Sequence, residues 1–538
     1  MSHNVEQEQK LVDKTVAVFE KNGGNIRVTA KELGTSRSTV RRRISKQGVG
    51  KKPLASGSLL GVVTKEAVLP EVGKVKRYIL TSAQNNTHVN SKVWDALSAL
   101  ADYYHAEIFV GTYSYNQNAY GQLAVKAGKC KARSDDKELW FDPSFVKYIN
   151  DERVDLAPGL VWCGEMNILP SAVNPLAGLE SYSARKSGIF PHAKLAMRSV
   201  PTMQGEGTKL NYTTGTVTQR NYIQKRAGLI AEHHHVYGGL LVEVNHHGNW
   251  WVRQLNADSE GAIQDLDVLV KDGKVTTGNR VEAITWGDLH ATIADAPTVD
   301  TSLDMLDTLK PQYQFFHDVL EGASLNHHEK DNPHIKFYNW MRGLSRVDLE
   351  LHSTAGTMSR FVRPYVRTVV VDSNHDDPWI QRWLREYDYR KDPANTEFFL
   401  KAQSYLYSQL RGGRMPRDVN MLEWALKEVG LKANMKFLVA DESYMICNKK
   451  IECGMHGHLG PNGRFGSPEN LCKMGRKSNT AHTHAAGIYN GAYVAGTSTS
   501  LRWSYNRGPS SWNHSHIVTY PNGKRSIVTI YNGEWRAR

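Results

Sequence analysis

The sequence is short of cysteine. Cys130, Cys163, Cys447, Cys453 and Cys472 are scattered through 538 residues. Their number is odd and no C-x2–4-C pair occurs, so no disulfide framework is expected. There is also no run approaching the ~18 apolar residues that span a bilayer. Met1 to Lys10 is polar and acidic, unlike a secretory signal. No collagen-like or low-complexity bias appears, which excludes fibrous and long disordered classes. These absences leave a globular protein of a reducing cytoplasm, without a membrane-spanning segment, as the expectation.

Charge is present in excess and unevenly placed. Lys and Arg number 67 against 54 Asp and Glu, a net +13. Residues 1–52 hold 12 basic and 5 acidic side chains, so that tenth of the chain carries 12 − 5 = +7. A concentrated basic segment points to a polyanionic partner such as DNA.

That segment has helical spacing. Leu11, Val12, Val16 and Phe19 form an apolar stripe before Gly23-Gly24, and Ala30, Leu33, Val40 and Ile44 form another around Gly34. Ser36 or Ser38 suits the cap of the last helix. Residues 1–48 resemble a resolvase-type helix-turn-helix, whose second motif helix enters the major groove. The resemblance implies DNA contacts from Arg37, Ser38, Thr39, Arg41, Arg42 and Arg43. A solvated basic helical cap is the plainer reading. Residues 49–75 have linker composition at their start, Gly48-Val49-Gly50-Lys51-Lys52-Pro53.

Residues 76–280 read as an α/β domain of unassigned role. Arg77–Thr81 and Glu107–Gly111 look like strands around a helix over 93–104, and 190–280 is strand-rich. His233-His234-His235 and His246-His247 invite a metal reading. Neighbours on a strand face opposite ways, however, so they seldom chelate one ion.

The chemistry gathers after residue 281. A strand-like Val281–Trp286 runs into Asp288 and His290, which share a face if the segment is extended. Tyr313–Phe316 runs into His317-Asp318. Arg367–Val371 runs into Asp372-Ser373-Asn374-His375-Asp376. Cys453-Gly454-Met455 leads to His456-Gly457-His458, and His482-Thr483-His484 follows. Each segment ends in a carboxylate, amide or imidazole, where open α/β sheets place their ligands.

The order Asp-x-His, Asp, Asn-His-Asp, His, His-x-His resembles the calcineurin-like metallophosphoesterase superfamily over residues 281–538. That family implies a β-sandwich flanked by helices and a two-metal centre. The fold class expected is thus α/β (α+β): this C-terminal sandwich, the middle α/β domain and the small all-α N-terminal module. Departures are His317 where the family has Gly before Asp, Ser373 where it has Gly, and Ala481 before the last pair. Carried over, Asp288, His290 and His484 would hold one metal and Asn374, His456 and His482 the other. Asp318 would bridge, with Asp331 its rival. His375 would be the catalytic acid, steadied by Asp376. His458 competes with His456, and Cys447, Cys453 and Cys472 with one histidine form a weaker zinc alternative. His514 and His516 mimic the last motif and read as surface or substrate-side residues.

Mixed imidazole and carboxylate donors suit Mn, Fe or Zn better than Mg alone; family habit in nucleases favours two Mn. Two cations about 3.5–4 Å apart activate a water and clamp an in-line displacement at phosphorus. The chain as a whole is similar to large phage-encoded proteins of DNA transfer and host-DNA breakdown, which implies the host bacterial cytoplasm. The expected function is a metal-dependent DNA nuclease, and related nucleases make a homo-oligomer an expectation too. A phosphatase or small-molecule phosphodiesterase tethered to DNA, and a non-catalytic DNA-binding regulator, are the alternatives.

Overall fold

The computed structural model describes residues 2–22, 26–36, 39, 40, 43, 64–115, 140–329, 331–503 and 506–538. It forms two compact units, Met1–Lys65 and Glu66–Arg538.

In the first unit, α1 (Ser2–Lys21) buries Val12 and Val16. Helix α2 (Ile26–Glu32) buries Ala30, which packs with Val40 and Phe19. Gly34, at φ +59°, ends α2 in the left-handed conformation that glycine adopts without strain. The Thr35 amide closes that turn by donating to the Ala30 carbonyl, 2.9 Å. The chain then turns helical again. The Ser36 hydroxyl accepts the Thr39 amide at 3.1 Å, as an N-cap does. Of the six expected DNA contacts, Thr39 and Arg43 lie in this helical segment. Arg37, Ser38, Arg41 and Arg42 lie outside the described residues, as does 49–63 of the expected linker.

The second unit is mixed α/β. Its first strand, β1 (Val75–Gln84), pairs in parallel with β2 (Glu107–Tyr113) across helix α3 (Ser91–Tyr104). Asn90 caps α3, which sets Val93, Leu97 and Leu100 against the sheet. Strands β8 (Gly238–Asn245) and β9 (Trp250–Asn256) complete a four-stranded sheet in the order β9-β8-β1-β2.

The sheet that carries the candidate site has six strands. They are β10 (Ala283–Thr285), β11 (Tyr313–Phe316), β12 (Arg367–Val370), β13 (Lys436–Phe437), β19 (Ser515–Thr519) and β20 (Arg525–Thr529), in the order β13-β12-β11-β10-β19-β20. Strands β10 to β13 run parallel, and β19 and β20 are antiparallel. Alternation along a strand sorts its side chains to opposite faces. Ile284, Phe316 and Val370 therefore meet helices such as α5 (Ala296–Leu309). Ala283, Phe315 and Val369 pack instead on Ile446, Ile451 and Cys453 of a second, longer sheet.

That longer sheet takes strands from both sides of residue 280. From the first half come β3 (Arg153–Ala157), β4 (Leu160–Cys163), β5 (Ser187–Phe190), β6 (Met197–Val200) and β7 (Lys209–Thr213). From the second half come β14 (Met445–Ile446), β15 (Ile451–Glu452), β16 (Lys477–Thr480), β17 (Gly487–Tyr489) and β18 (Ala492–Val494). The junction is the antiparallel pairing of β6 with β17. The boundary expected at 280 falls inside this unit, because a sheet that needs strands from both halves buries neither half alone.

Two histidine readings change. His233 and His234 end helix α4 (Arg226–His234) and are not on a strand. His516 is fully buried in β19 rather than at the surface. Its Nδ1 accepts the Gly287 amide at 2.9 Å, which leaves Nε2 as the protonated nitrogen, 2.9 Å from Ser302 Oγ. Burial pulls His516 down to about 3, and likewise His235 to about 3 and His192 to about 4. Such groups stay neutral in the fold and charge in the unfolded chain below ~6.5, so the unfolded state binds more protons there. Stability is complete above that pH and falls on acidification, by about 1.4 kcal/mol per pH unit for each fully shifted histidine. Denaturant midpoints measured between pH 7 and 5 without metal should drop, and the drop should shrink in a His516→Gln variant.

Candidate metal centre

Strands β10, β11 and β12 end at one edge of the six-stranded sheet, and the loops beyond them supply Asp288, Asp318 and Asn374. The facing sheet adds His456 after β15, and His482 and His484 after β16. Gly287 lets this edge close. A Cβ there would stand 2.8 Å from the Gly496 carbonyl, so only glycine allows the two backbones their approach.

Three groups of donor atoms result, each gathered within 4.8 Å: Asp288, His290, Asp318 and His484; Asp318, His456 and His482; and His290, Glu321 and His375. The Asp318 carboxylate joins the first two. Its Oδ2 lies 3.7 Å from His290 Nε2 and 3.1 Å from His456 Nε2. His484 Nε2 stands 3.0 Å from Asp288 Oδ2. Asn374 Oδ1 lies 3.0 Å from His456 Nε2, and His482 Nδ1 lies 3.2 Å from the same nitrogen. All seven residues expected as ligands are thereby brought together. Asp331, the rival of Asp318, is exposed and belongs to none of these groups. His458 lies beside the second group, its ring 5.4 Å from that of His456.

The donor set fits a cation on its own evidence. His456 Nε2 has three electron-rich neighbours within 3.2 Å, more than one N–H can serve. Asp288 Oδ1 and His290 Nε2 are buried without a hydrogen-bond partner among the described residues, a state that calls for an ion or a water. These buried clusters of Asp and His can bind a metal ion.

The backbone is strained at the same place. His290 (φ 38°), Asp318 (φ 38°), His482 (φ 72°) and His484 (φ 55°) all adopt the left-handed region. Non-glycine residues pay for that conformation, and such outliers cluster at functional sites. The i, i+2 pairs therefore converge through left-handed turns and not on an extended strand, since β10 stops at Thr285 and β16 at Thr480.

Electrostatics separates the roles. Burial raises Asp288, but His456 and His484 outweigh it and hold the carboxyl at about 2. Asp318 is driven well below the usual carboxylate range, as His456 and His375 overcome its burial. His290 rises to about 9 against burial because Glu321, Asp318 and Asp288 surround it. Burial lowers His482 to about 4.

His375 sits with its ring stacked on Trp379, centroids 4.1 Å apart. Its Nδ1 is 2.9 Å from the Glu321 carbonyl oxygen. A carbonyl only accepts, so Nδ1 carries the proton and Nε2 is the nitrogen left for chemistry. The expected steadying by Asp376 is corrected. Asp376 accepts the Leu320 amide at 2.9 Å and the Val319 amide at 3.3 Å, so it shapes the loop after Asp318. His375 is oriented by the Glu321 carbonyl and Trp379 instead.

Glu321 was not anticipated. Its Oε2 lies 2.9 Å from His290 Nδ1, the carboxylate–histidine arrangement that aims a ligating imidazole. Glu321→Gln should weaken metal affinity about 10–100-fold with the fold intact, read by metal titration and by circular dichroism.

The described geometry is that of an α/β protein with a buried, carboxylate-bridged Asp/His cluster. Protein A1 of Escherichia phage T5 is 35% identical to the chain over 492 residues, covering 89% of this chain and 86% of that protein. The chain belongs to the family of that phage protein. No family model matches the chain, and no solved structure matches it.

Proposed function

We propose that the chain is a metal-dependent DNA nuclease of the metallophosphoesterase class, phage-encoded and acting in host-DNA degradation or DNA transfer. The observation that carries the reading is the Asp318 carboxylate shared by two Asp/His groups at one sheet edge. Asp288, His290 and His484 would hold one ion, and Asn374, His456 and His482 the other. Mn suits this donor set. When bound, two divalent ions supply charge neutralisation and an activated water for phosphodiester hydrolysis.

The remaining roles belong to the chain. Asp318 keeps its negative charge because its imidazole neighbours favour it. Glu321 fixes the His290 ring. His375, held through Nδ1, presents Nε2 to the leaving oxygen and, in its imidazolium form, donates the Nε2 proton that oxygen needs, returning to the neutral ring protonated on Nδ1. The basic segment 1–52 supports DNA as the substrate, with phosphate contacts from Arg and Lys.

The test is hydrolysis of plasmid DNA, a nucleotide phosphodiester and a phosphomonoester, each with Mn and with chelator. Cleavage of the plasmid in Mn alone is the expected result. Intact DNA alongside a hydrolysed small ester would give the protein to the phosphatase class. Inertness toward all three would leave the DNA-binding regulator.

A further inference from the structure

A concavity of about 500 Å3 lies apart from the metal centre and contains none of its residues. Lys194, His233, His234, Lys477, Lys524 and Arg525 line it, and no Asp or Glu is among its described lining residues. Arg476 sits at the same wall, with Glu452 3.8 Å away.

Lys194, Lys477, Lys524 and Arg525 have no acidic partner within ion-pair distance among the described residues. Lys194 Nζ donates to the Val173 carbonyl. Arg525 is fully buried and donates to the Ser478 and Gly491 carbonyls, 2.8 Å each, and to Asn479 Oδ1 at 3.0 Å. Its guanidinium lies 3.9 Å from the Tyr493 ring centroid. Asp258 is the carboxylate whose field reaches Lys524, without closing an ion pair among the described residues. Burial brings Lys194 down to about 8; burial and the neighbouring Lys477 bring Lys524 to about 8, and burial with Arg525 nearby lowers Lys477.

Lys194 and Arg525 are buried, and buried cations without counter-charge are costly and retained where a ligand supplies that charge. Four cations around one cavity, with the Lys477 and Lys524 ammonium groups the more accessible, answer a multiply charged oxyanion better than a single carboxylate. The volume is that of a small-ligand pocket. We infer that this cavity binds a phosphate group carried by a nucleotide or by a nucleic-acid strand. Strand β16 connects it to the metal centre. Lys477 opens the strand and His482 follows its end, at most about 16 Å apart at ~3.3 Å per residue. The inference does not rest on the nuclease reading, since it concerns binding without metal.

The experiment is acylation footprinting of the full chain in chelator, read by mass spectrometry. The probes are inorganic phosphate, deoxyadenosine monophosphate and a short single-stranded oligonucleotide. Lys524 and Lys477 should label at least about fivefold more slowly with a bound probe, by direct charge pairing. The exposed Lys271 serves as the unprotected control. Protection by mononucleotide and oligonucleotide alike identifies a nucleotide site, and protection by oligonucleotide alone identifies a strand site. Protection by phosphate as well identifies a simple phosphate site. Protection by none overturns the inference. Lys477→Glu, at the exposed end of β16, should weaken binding of the protecting probe about tenfold with an unchanged melting temperature. Unchanged affinity in that variant also overturns it.

Discussion

His375→Ala should lower Mn-dependent DNA cleavage by about 10²–10⁴-fold, the range of a lost general acid, while both ions still bind. His375 shares a donor-atom group with His290 and Glu321, but belongs to neither of the groups that meet at Asp318. Its Nδ1 is committed to the Glu321 carbonyl, and Trp379 covers one face of the ring. Alanine therefore removes the Nε2 proton and leaves the Asp318 carboxylate in place. Metal content by mass spectrometry and single-turnover cleavage separate the two effects. Burial lowers His375, against a smaller pull from Asp318, so its protonated form is confined to the acidic side and the acid-dependent rate should fall as pH rises. A variant that cleaves at the wild-type rate would remove His375 from the mechanism.

Asp318→Asn should have the wider effect, losing both ions together and with them at least about 100-fold of activity. Asp318 is the residue common to the two main groups, and its Oδ2 faces His290 and His456 at once. The amide keeps the side-chain shape, so the His375 amide that donates to Oδ1 at 3.1 Å retains an acceptor. By contrast, His484→Gln should weaken the ion beside Asp288 more than its neighbour. Equal loss of a single ion in both variants would show that Asp318 does not bridge.

The candidate ligands Asp318 and Asn374 are legible because each follows a short apolar strand, Phe315-Phe316 and Val369-Val370, whereas His482 and His484 follow the polar Lys477–Thr480 and are marked by their own spacing. Glu321 and the turn that carries it were not legible, since a lone Glu after a loop has no periodicity. The left-handed turns at His290, Asp318, His482 and His484 leave no mark in residue type either. Asp376 was misread because adjacency in sequence suggested a partner for His375, whereas its carboxylate reaches amides 56 and 57 residues away. His516 was misplaced because a histidine next to a surface-like Asn-His-Ser pattern gives no sign of the Gly287 amide behind it. The shared long sheet was invisible for a similar reason: β6 and β17 are short, and their pairing joins residues near 198 and 487.

The central claim is that one carboxylate-bridged cluster holds two divalent ions. Crystals soaked in Mn and measured at its absorption edge test it directly. The account predicts two anomalous peaks about 3.5–4 Å apart, flanking the Asp318 carboxylate, one beside Asp288, His290 and His484 and the other beside Asn374, His456 and His482. No peak at this cluster, or a single peak centred on His375 and Glu321, would contradict it.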